Sequence, residues 1–232
     1  MTPRFPTALR PGNRLLVFAR VPEQGLVKTR LARAIGDERA FEVYQAMLAD
    51  LLDSIGPSDD NMLIEILWTA SNDIEGARIL DAFGDHLLAR QAGKNLGERL
   101  VVAFSERVIF YNAQKVIAIG TDLPTLRRHE IEVALKLLES CEYVIGPASD
   151  GGYYLIGCRG PSFHPSVFEG VDWGSESVYE TTIDHIRSLG ETVALLPVRS
   201  DLDHKEDLHR FLSRPEADGT RTARILREWG WE

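Results

Sequence analysis

The stretch Lys115–Pro124, KVIAIGTDLP, limits the choice of fold more than any other. Val116 to Ile119 is an unbroken apolar run, rich in β-branched residues and closed by Gly120. With no polar alternation it reads as a strand buried on both faces, as central parallel strands are. Pro124 ends the ladder, and Asp122 or Thr125 can cap a helix expected from Arg127 to Leu138. An acid just past the carboxyl end of a central strand faces the crevice where open α/β sheets bind ligands. Asp122 is therefore a candidate metal-holding carboxylate. The plain alternative is a turn or cap residue, the commoner role of a junction Asp.

The rest of the chain alternates in the same way. Strands are expected at Arg14–Ala19, Met62–Thr69, His86–Arg90, Glu142–Ala148, Leu155–Cys158 and Glu191–Val198. Between them, 3.6-residue periodicity predicts helices over Glu38–Ile55, Ile74–Phe83, Leu96–Tyr111, Ser175–Leu189, Lys205–Leu212 and Thr220–Trp229. In the Leu96–Tyr111 segment, Leu100, Val101, Phe104 and Val108 should point inward. Strands alternating with helices imply a three-layer α/β/α sandwich on a mainly parallel sheet, with some mixed pairing at 142–158. No linker or repeat divides the 232 residues, so one domain is expected after a loose lead-in over 1–13.

The first strand runs into Arg20-Val21-Pro22-Glu23-Gln24-Gly25-Leu26-Val27-Lys28-Thr29-Arg30. A Pro/Gly loop after strand one, with cations at its far end, suits a phosphate, and Lys28 and Arg30 would read it. The plain alternative is a solvated basic turn. A P-loop is strongly disfavoured because Val27 precedes the lysine and no glycine opens the loop. No G-x-G-x-x-G follows the strand either. Further on, Gln91, Gly93 and Gly97 lie in a loop after a short strand. A glutamine amide can read a base edge and a glycine lets a ring approach, but on the residues alone a plain loop accounts for them better.

Ser149-Asp150-Gly151-Gly152-Tyr153-Tyr154 is a tight turn between strands, or a substrate floor if the glycine N–H groups stay open. Tyr153 and Tyr154 alternate, so at most one faces a pocket. Asp201 and Asp203 point the same way on an extended backbone. Joined by Asp122, they could hold Mg²⁺ or Mn²⁺ against a phosphate. Asp203 could instead cap the last-but-one helix in a box with Glu206.

A net charge of −9 argues against a general nucleic-acid binder. Cys141 and Cys158 sit beside apolar runs and read as buried free thiols; no Cys/His cluster has zinc spacing. Neither a signal peptide nor a membrane span is legible, so a cytoplasmic location is expected.

The segments FARVPEQGLVKTRLA, QAGKNLGERL, IGTDLPTL, GPASDGGYYLIG, WGSESV and DLDHKEDL, in that order, resemble the DUF2064 family of nucleotide-diphospho-sugar transferase-like proteins of the GT-A superfamily. Its members are often labelled as arsenosugar-biosynthesis glycosyltransferases. The family is similar to the guanylyltransferases that activate phospholactate or phosphoenolpyruvate for a deazaflavin cofactor. The resemblance spans about residues 14–212. It implies that Ala19–Arg30, including Arg20 and Gly25, wraps a nucleotide, with Gln91, Gly93 and Gly97 near its base. It implies a metal at Asp122, Asp201 and Asp203, and an acceptor pocket of Ser149, Asp150, Gly151, Gly152, Tyr153 and Trp173. His204 stands where the family usually has threonine, and Arg20 where lysine is common.

Two reactions are open to such a site. The favoured expectation is metal-dependent transfer from a nucleotide sugar to a small acceptor, with Lys28 and Asp122 stabilising charge and Asp150 as base. The alternative is nucleotidyl transfer from a nucleoside triphosphate to a small phosphorylated acceptor, releasing pyrophosphate and needing no base. A non-catalytic nucleotide-binding module is a third possibility.

Overall fold

The computed structural model describes residues 12–70 and 76–232. The lead-in up to residue 11 and the expected helix start at Ile74 lie outside them. Strands β1 (Asn13–Arg20), β2 (Met62–Thr69), β3 (Leu87–Arg90), β4 (Lys115–Ile119), β5 (Tyr143–Pro147), β6 (Tyr153–Arg159) and β7 (Val193–Leu195) form one sheet. Its order is β3-β2-β1-β4-β6-β5-β7. All pairings are parallel except those of β6, which runs antiparallel between β4 and β5. The mixed pairing expected at 142–158 is this insertion. The loops that follow β1, β4, β5 and β7 therefore all leave from the same edge of the sheet.

The period-two pleat explains why the central strands lack polar residues. Leu15, Val17, Ile117 and Ile119 face one layer, with α2 (Asp37–Ile55), α3 (Gly76–Phe83) and α5 (Arg128–Leu137). Leu16, Val116 and Ala118 face the other, with α4 (Leu96–Ser105) and α6 (Val178–Ser188). Each fully buried Leu or Ile contributes about 1.5–3 kcal/mol, which fixes the register of the strand that carries it. A third cluster packs α1 (Thr29–Ile35) and the outer flank of α2 against α7 (Lys205–Leu212) and α8 (Arg221–Glu228) through Leu31, Met47, Phe211 and Leu226. Both cysteines are free and buried, and burial pushes the Cys158 thiol up.

Several boundaries differ from expectation for identifiable reasons. The helix expected to run to Tyr111 is α-helical only to Ser105 and continues as a π-helical turn, Glu106–Phe110. The extra residue in that turn swings Arg107 inward to Glu65, which also binds Arg14 at 3.0 Å, and leaves Ile109 and Phe110 exposed. β7 is three residues long because Pro197, which has no N–H, interrupts the pairing with β5, and the pairing resumes where the Arg199 N–H donates to the Pro147 carbonyl at 3.0 Å. Neither Asp122 nor Thr125 caps α5: the Glu130 carboxylate accepts the Arg127 N–H there at 3.0 Å. Nor does Asp203 cap α7. Asp207 accepts the N–H groups of both Asp203 and His204, so the Asp203 carboxylate is left to other partners.

Candidate active site

The loop after β1 is short and tightly folded. Gly25 takes φ +77°, and the Leu26 N–H closes a turn on the Glu23 carbonyl at 3.0 Å. Lys28 ends the loop at φ +47°, ψ +42°, a left-handed conformation that a non-glycine residue adopts at a cost of about 1–2 kcal/mol. That conformation turns the chain into α1 and sends the Lys28 side chain inward across the sheet edge. Its Nζ donates to Asp122 Oδ1 at 2.5 Å, to the Leu202 carbonyl at 2.6 Å and to Asp203 Oδ1 at 3.5 Å. Burial alone would lower the Lys28 pKa. The charges of Asp122, Asp203 and Asp201 outweigh it and hold the ammonium above its usual value. Arg30 is more exposed and donates to Asp203 Oδ2 at 3.0 Å.

Asp122 follows β4, and its carbonyl accepts the Leu202 N–H at 3.1 Å, which draws the chain after β7 over the same edge. Its side chain is half exposed. Asp201 is different: one carboxylate oxygen is buried with no hydrogen-bond partner. Burial, with the charges of Asp122, Asp150 and Asp203, pushes its pKa up to about 7. Among the described residues, no three His, Cys, Asp or Glu side chains are gathered closely enough to make a metal cage. Mg²⁺ does not need one, since it is usually held by one or two carboxylates plus substrate phosphates and water. The half-exposed Asp122 and the unpartnered Asp201 oxygen fit that partial donor set.

A cavity of about 360 Å³ opens over this cluster. Ala19, Arg20, Lys28, Arg30, Gln91, Asp122 and Asp203 line it, with Leu26, Tyr44, Leu96 and Thr121. Gln91 is held by the sheet: its Nε2 donates to the Ala19 and Leu67 carbonyls at 3.2 and 2.6 Å. Gly93 and Gly97 lie elsewhere, in a second cavity of about 520 Å³ shared with Trp173. A Cβ on Gly97 would sit 2.4 Å from Trp173 Nε1, so the bare backbone is what lets that indole dock on α4.

The turn between β5 and β6 is at the same edge. The glycine N–H groups expected to be open are used within the turn: Gly151 N–H donates to the Ala148 carbonyl at 3.3 Å and Gly152 N–H to Asp150 Oδ1 at 2.9 Å. Ser149 N–H donates to the Arg199 carbonyl. Asp150 keeps its second oxygen and an exposed position. Tyr153 and Tyr154 take opposite faces, as their alternation requires. Tyr153 packs edge-on against Trp173 at 6.3 Å between centroids, whereas Tyr154 donates to the Pro197 carbonyl at 3.1 Å. So Lys28, Arg30, Asp122, Asp201 and Asp203 meet at one place. Asp150 is within their electrostatic reach, and Gly93, Gly97, Tyr153 and Trp173 form a neighbouring wall. Sequence reasoning passed over Tyr44 and Thr121, because one falls on an amphipathic stripe and the other beside a more conspicuous acid.

Known proteins agree with this architecture. Residues 58–175, about half the chain, match the family described as "Uncharacterized protein conserved in bacteria (DUF2064)". A 3-phospho-D-glycerate guanylyltransferase of Phenylobacterium zucineum is 30% identical over 206 residues, covering 86% of this chain and 89% of that protein. A 2-phospho-L-lactate guanylyltransferase of Methanocaldococcus jannaschii is 25% identical over 165 residues, 70% of this chain and 67% of the other. The crystal structure of a chain assigned as a nucleotide-diphospho-sugar transferase, from Desulfovibrio desulfuricans, superposes with a TM-score of 0.85 at 31% identity, covering 94% and 95% of the two chains. A 4-diphosphocytidyl-2C-methyl-D-erythritol synthase shares the fold alone, at a TM-score of 0.53 and 11% identity. The protein is a transferase-like α/β enzyme, and it belongs to the DUF2064 family.

Proposed function

We propose that the protein is a nucleotidyltransferase that joins a nucleoside monophosphate, from a triphosphate, to a small phosphorylated acid and releases pyrophosphate. GTP is the first candidate donor, since the curated relatives are guanylyltransferases. This replaces the expectation of sugar transfer, which the names of those relatives do not support. The observation that carries the proposal is the Lys28 ammonium beside the half-exposed Asp122 in one cavity. Such a pairing suits a polyphosphate chain with its counter-cation.

In this reading a phosphate oxygen of the acceptor attacks the α-phosphorus. The bond from that phosphorus to the bridging oxygen breaks, and pyrophosphate leaves with the electron pair. The nucleophile is already anionic, so no general base is required, and Asp150 has the lesser role of shaping the acceptor wall. Lys28 and Arg30 neutralise charge that grows on the leaving group and hold the chain of phosphates in line. Asp122, with Asp201 or Asp203, would hold Mg²⁺ or Mn²⁺; when bound, the ion supplies Lewis-acid stabilisation of the phosphoryl oxygens.

The test is pyrophosphate release from GTP, ATP, CTP or UTP with Mg²⁺, in the presence of 3-phosphoglycerate or phospholactate. Release that requires the phosphorylated acid is the expected result. Release of a nucleoside diphosphate from a nucleotide sugar, with no pyrophosphate from any triphosphate, would overturn the proposal in favour of sugar transfer.

A further inference from the structure

Tyr44 sits on α2, buried, and lies on the stripe whose other members pack the core. Its hydroxyl does something the stripe does not need. It donates to the Arg20 carbonyl at 2.7 Å and accepts the Arg20 N–H at 3.0 Å. Arg20 is the last residue of β1 and the first of the loop that ends at Lys28.

The pairing of β1 explains why that residue needs help. β1 and β4 pair only as far as Val17 and Ile119. Val21 N–H donates to Thr69 on β2, so the groups of Arg20, one residue earlier, face the opposite side, where β4 has already ended. Both would be backbone groups left without a strand partner. On the β2 side the Gln91 amide binds the Ala19 carbonyl, and on the β4 side Tyr44 binds Arg20. Thr121, which immediately precedes Asp122, lines the same cavity as Tyr44. One phenol oxygen therefore takes up both unpaired backbone groups at the exit of β1, beside the end of β4. It lines the same cavity as Lys28 and Asp122.

We infer that Tyr44 is a positioning residue for the nucleotide: its hydroxyl sets where the loop from Arg20 to Lys28 leaves the sheet relative to Asp122. The inference rests on the nucleotide reading proposed above. Its geometric half, the hold on Arg20, is independent of that reading.

The experiment compares the parent with Tyr44→Phe, which keeps the ring and removes only the hydroxyl. Ile55→Val, at the far end of the same helix and fully buried, serves as a control of similar stability loss. Melting midpoints should fall by about 2–4 °C in both variants. Affinity for whichever of GTP, ATP, CTP and UTP the parent binds best should fall about tenfold in Tyr44→Phe and stay unchanged in Ile55→Val. The KM for the phosphorylated acceptor should not move in either. Amide exchange over residues 20–28 should accelerate about tenfold in Tyr44→Phe alone. Affinity in Tyr44→Phe within twofold of the parent, or an equal loss in Ile55→Val, overturns the inference. If the parent binds no nucleotide, the functional reading fails first, and unchanged exchange over 20–28 would then overturn the hold on Arg20 as well.

Discussion

The Lys28 ammonium lies 2.5 Å from the Asp122 carboxylate and joins the loop after one central strand to the end of the next. The two residues are 94 positions apart in the chain, so only the folded sheet brings them together. A buried lysine in this position neutralises Asp122 and Asp203 and is itself kept charged by them.

Replacing Lys28 with Met removes that cation while keeping the volume of the stem. The kcat/KM for the triphosphate should fall by about 100-fold or more, the range found when one preorganised donor to a reacting oxygen is lost. Stability should fall by only about 1–2 kcal/mol, because Asp122 is half exposed and solvent screens its repulsion with Asp203. Steady-state kinetics and urea unfolding on the same preparation measure the two effects separately.

Asp201 should make the metal-free protein less stable as pH rises. Its folded pKa of about 7 lies above its ordinary value, so the folded state binds the proton more tightly than the unfolded chain does. The contribution is fully present below about pH 4 and is lost as pH rises through 7. Asp201→Asn should remove this slope, so that urea unfolding in EDTA at pH 5 and pH 8 differs between parent and variant by about 2–4 kcal/mol. An equal slope in both proteins would mean that the orphaned oxygen is not titrating.

Gly151→Ala tests the turn between β5 and β6. A Cβ there would lie 2.1 Å from the Glu176 carbonyl oxygen, and φ is +90°. Neither strain can be relieved by rotating a side chain. A loss of about 2–4 kcal/mol is expected, with a raised KM for the acceptor and unchanged affinity for the triphosphate. Differential scanning calorimetry and a two-substrate kinetic matrix provide the check.

Glu65→Gln should destabilise strongly without touching the chemistry. Glu65 is buried between Arg14 and Arg107, so removing its charge leaves two buried guanidinium groups facing an amide. The expected loss is about 3–5 kcal/mol. Nucleotide affinity, measured well below the melting midpoint, should match the parent's.

What could be read from the sequence was whatever depends on short-range pattern. β1, β2, β4 and the α2 and α7 helices have periods that leave one solution, and their limits were legible to within a residue or so. The acids Asp122, Asp201 and Asp203 stood out because they follow strands, and the resemblance put them together. What could not be read was which partner each polar group would choose. His204 takes the N-cap position foreseen for Asp203, and Asp207 the place foreseen for Glu206, a shift of one residue. The π turn at Glu106–Phe110 depends on Arg107 finding Glu65, 42 residues away. Tyr44 looked like one more apolar position on a stripe, because its hydroxyl matters only once β4 is known to end before β1.

β4 is flanked on both sides, by β1 and by β6, and it carries Asp122 just past its end. Its amides should therefore exchange with solvent only when the whole molecule opens, whereas the loop that carries Lys28 is attached to the sheet at one end and to a short helix at the other. The two sides of the proposed phosphate site should thus differ in mechanical compliance. The acid follows a strand paired along both edges, and the ammonium approaches it from a loop, so the adjustment a bulky polyphosphate demands on entering and leaving should be borne mainly by the lysine side.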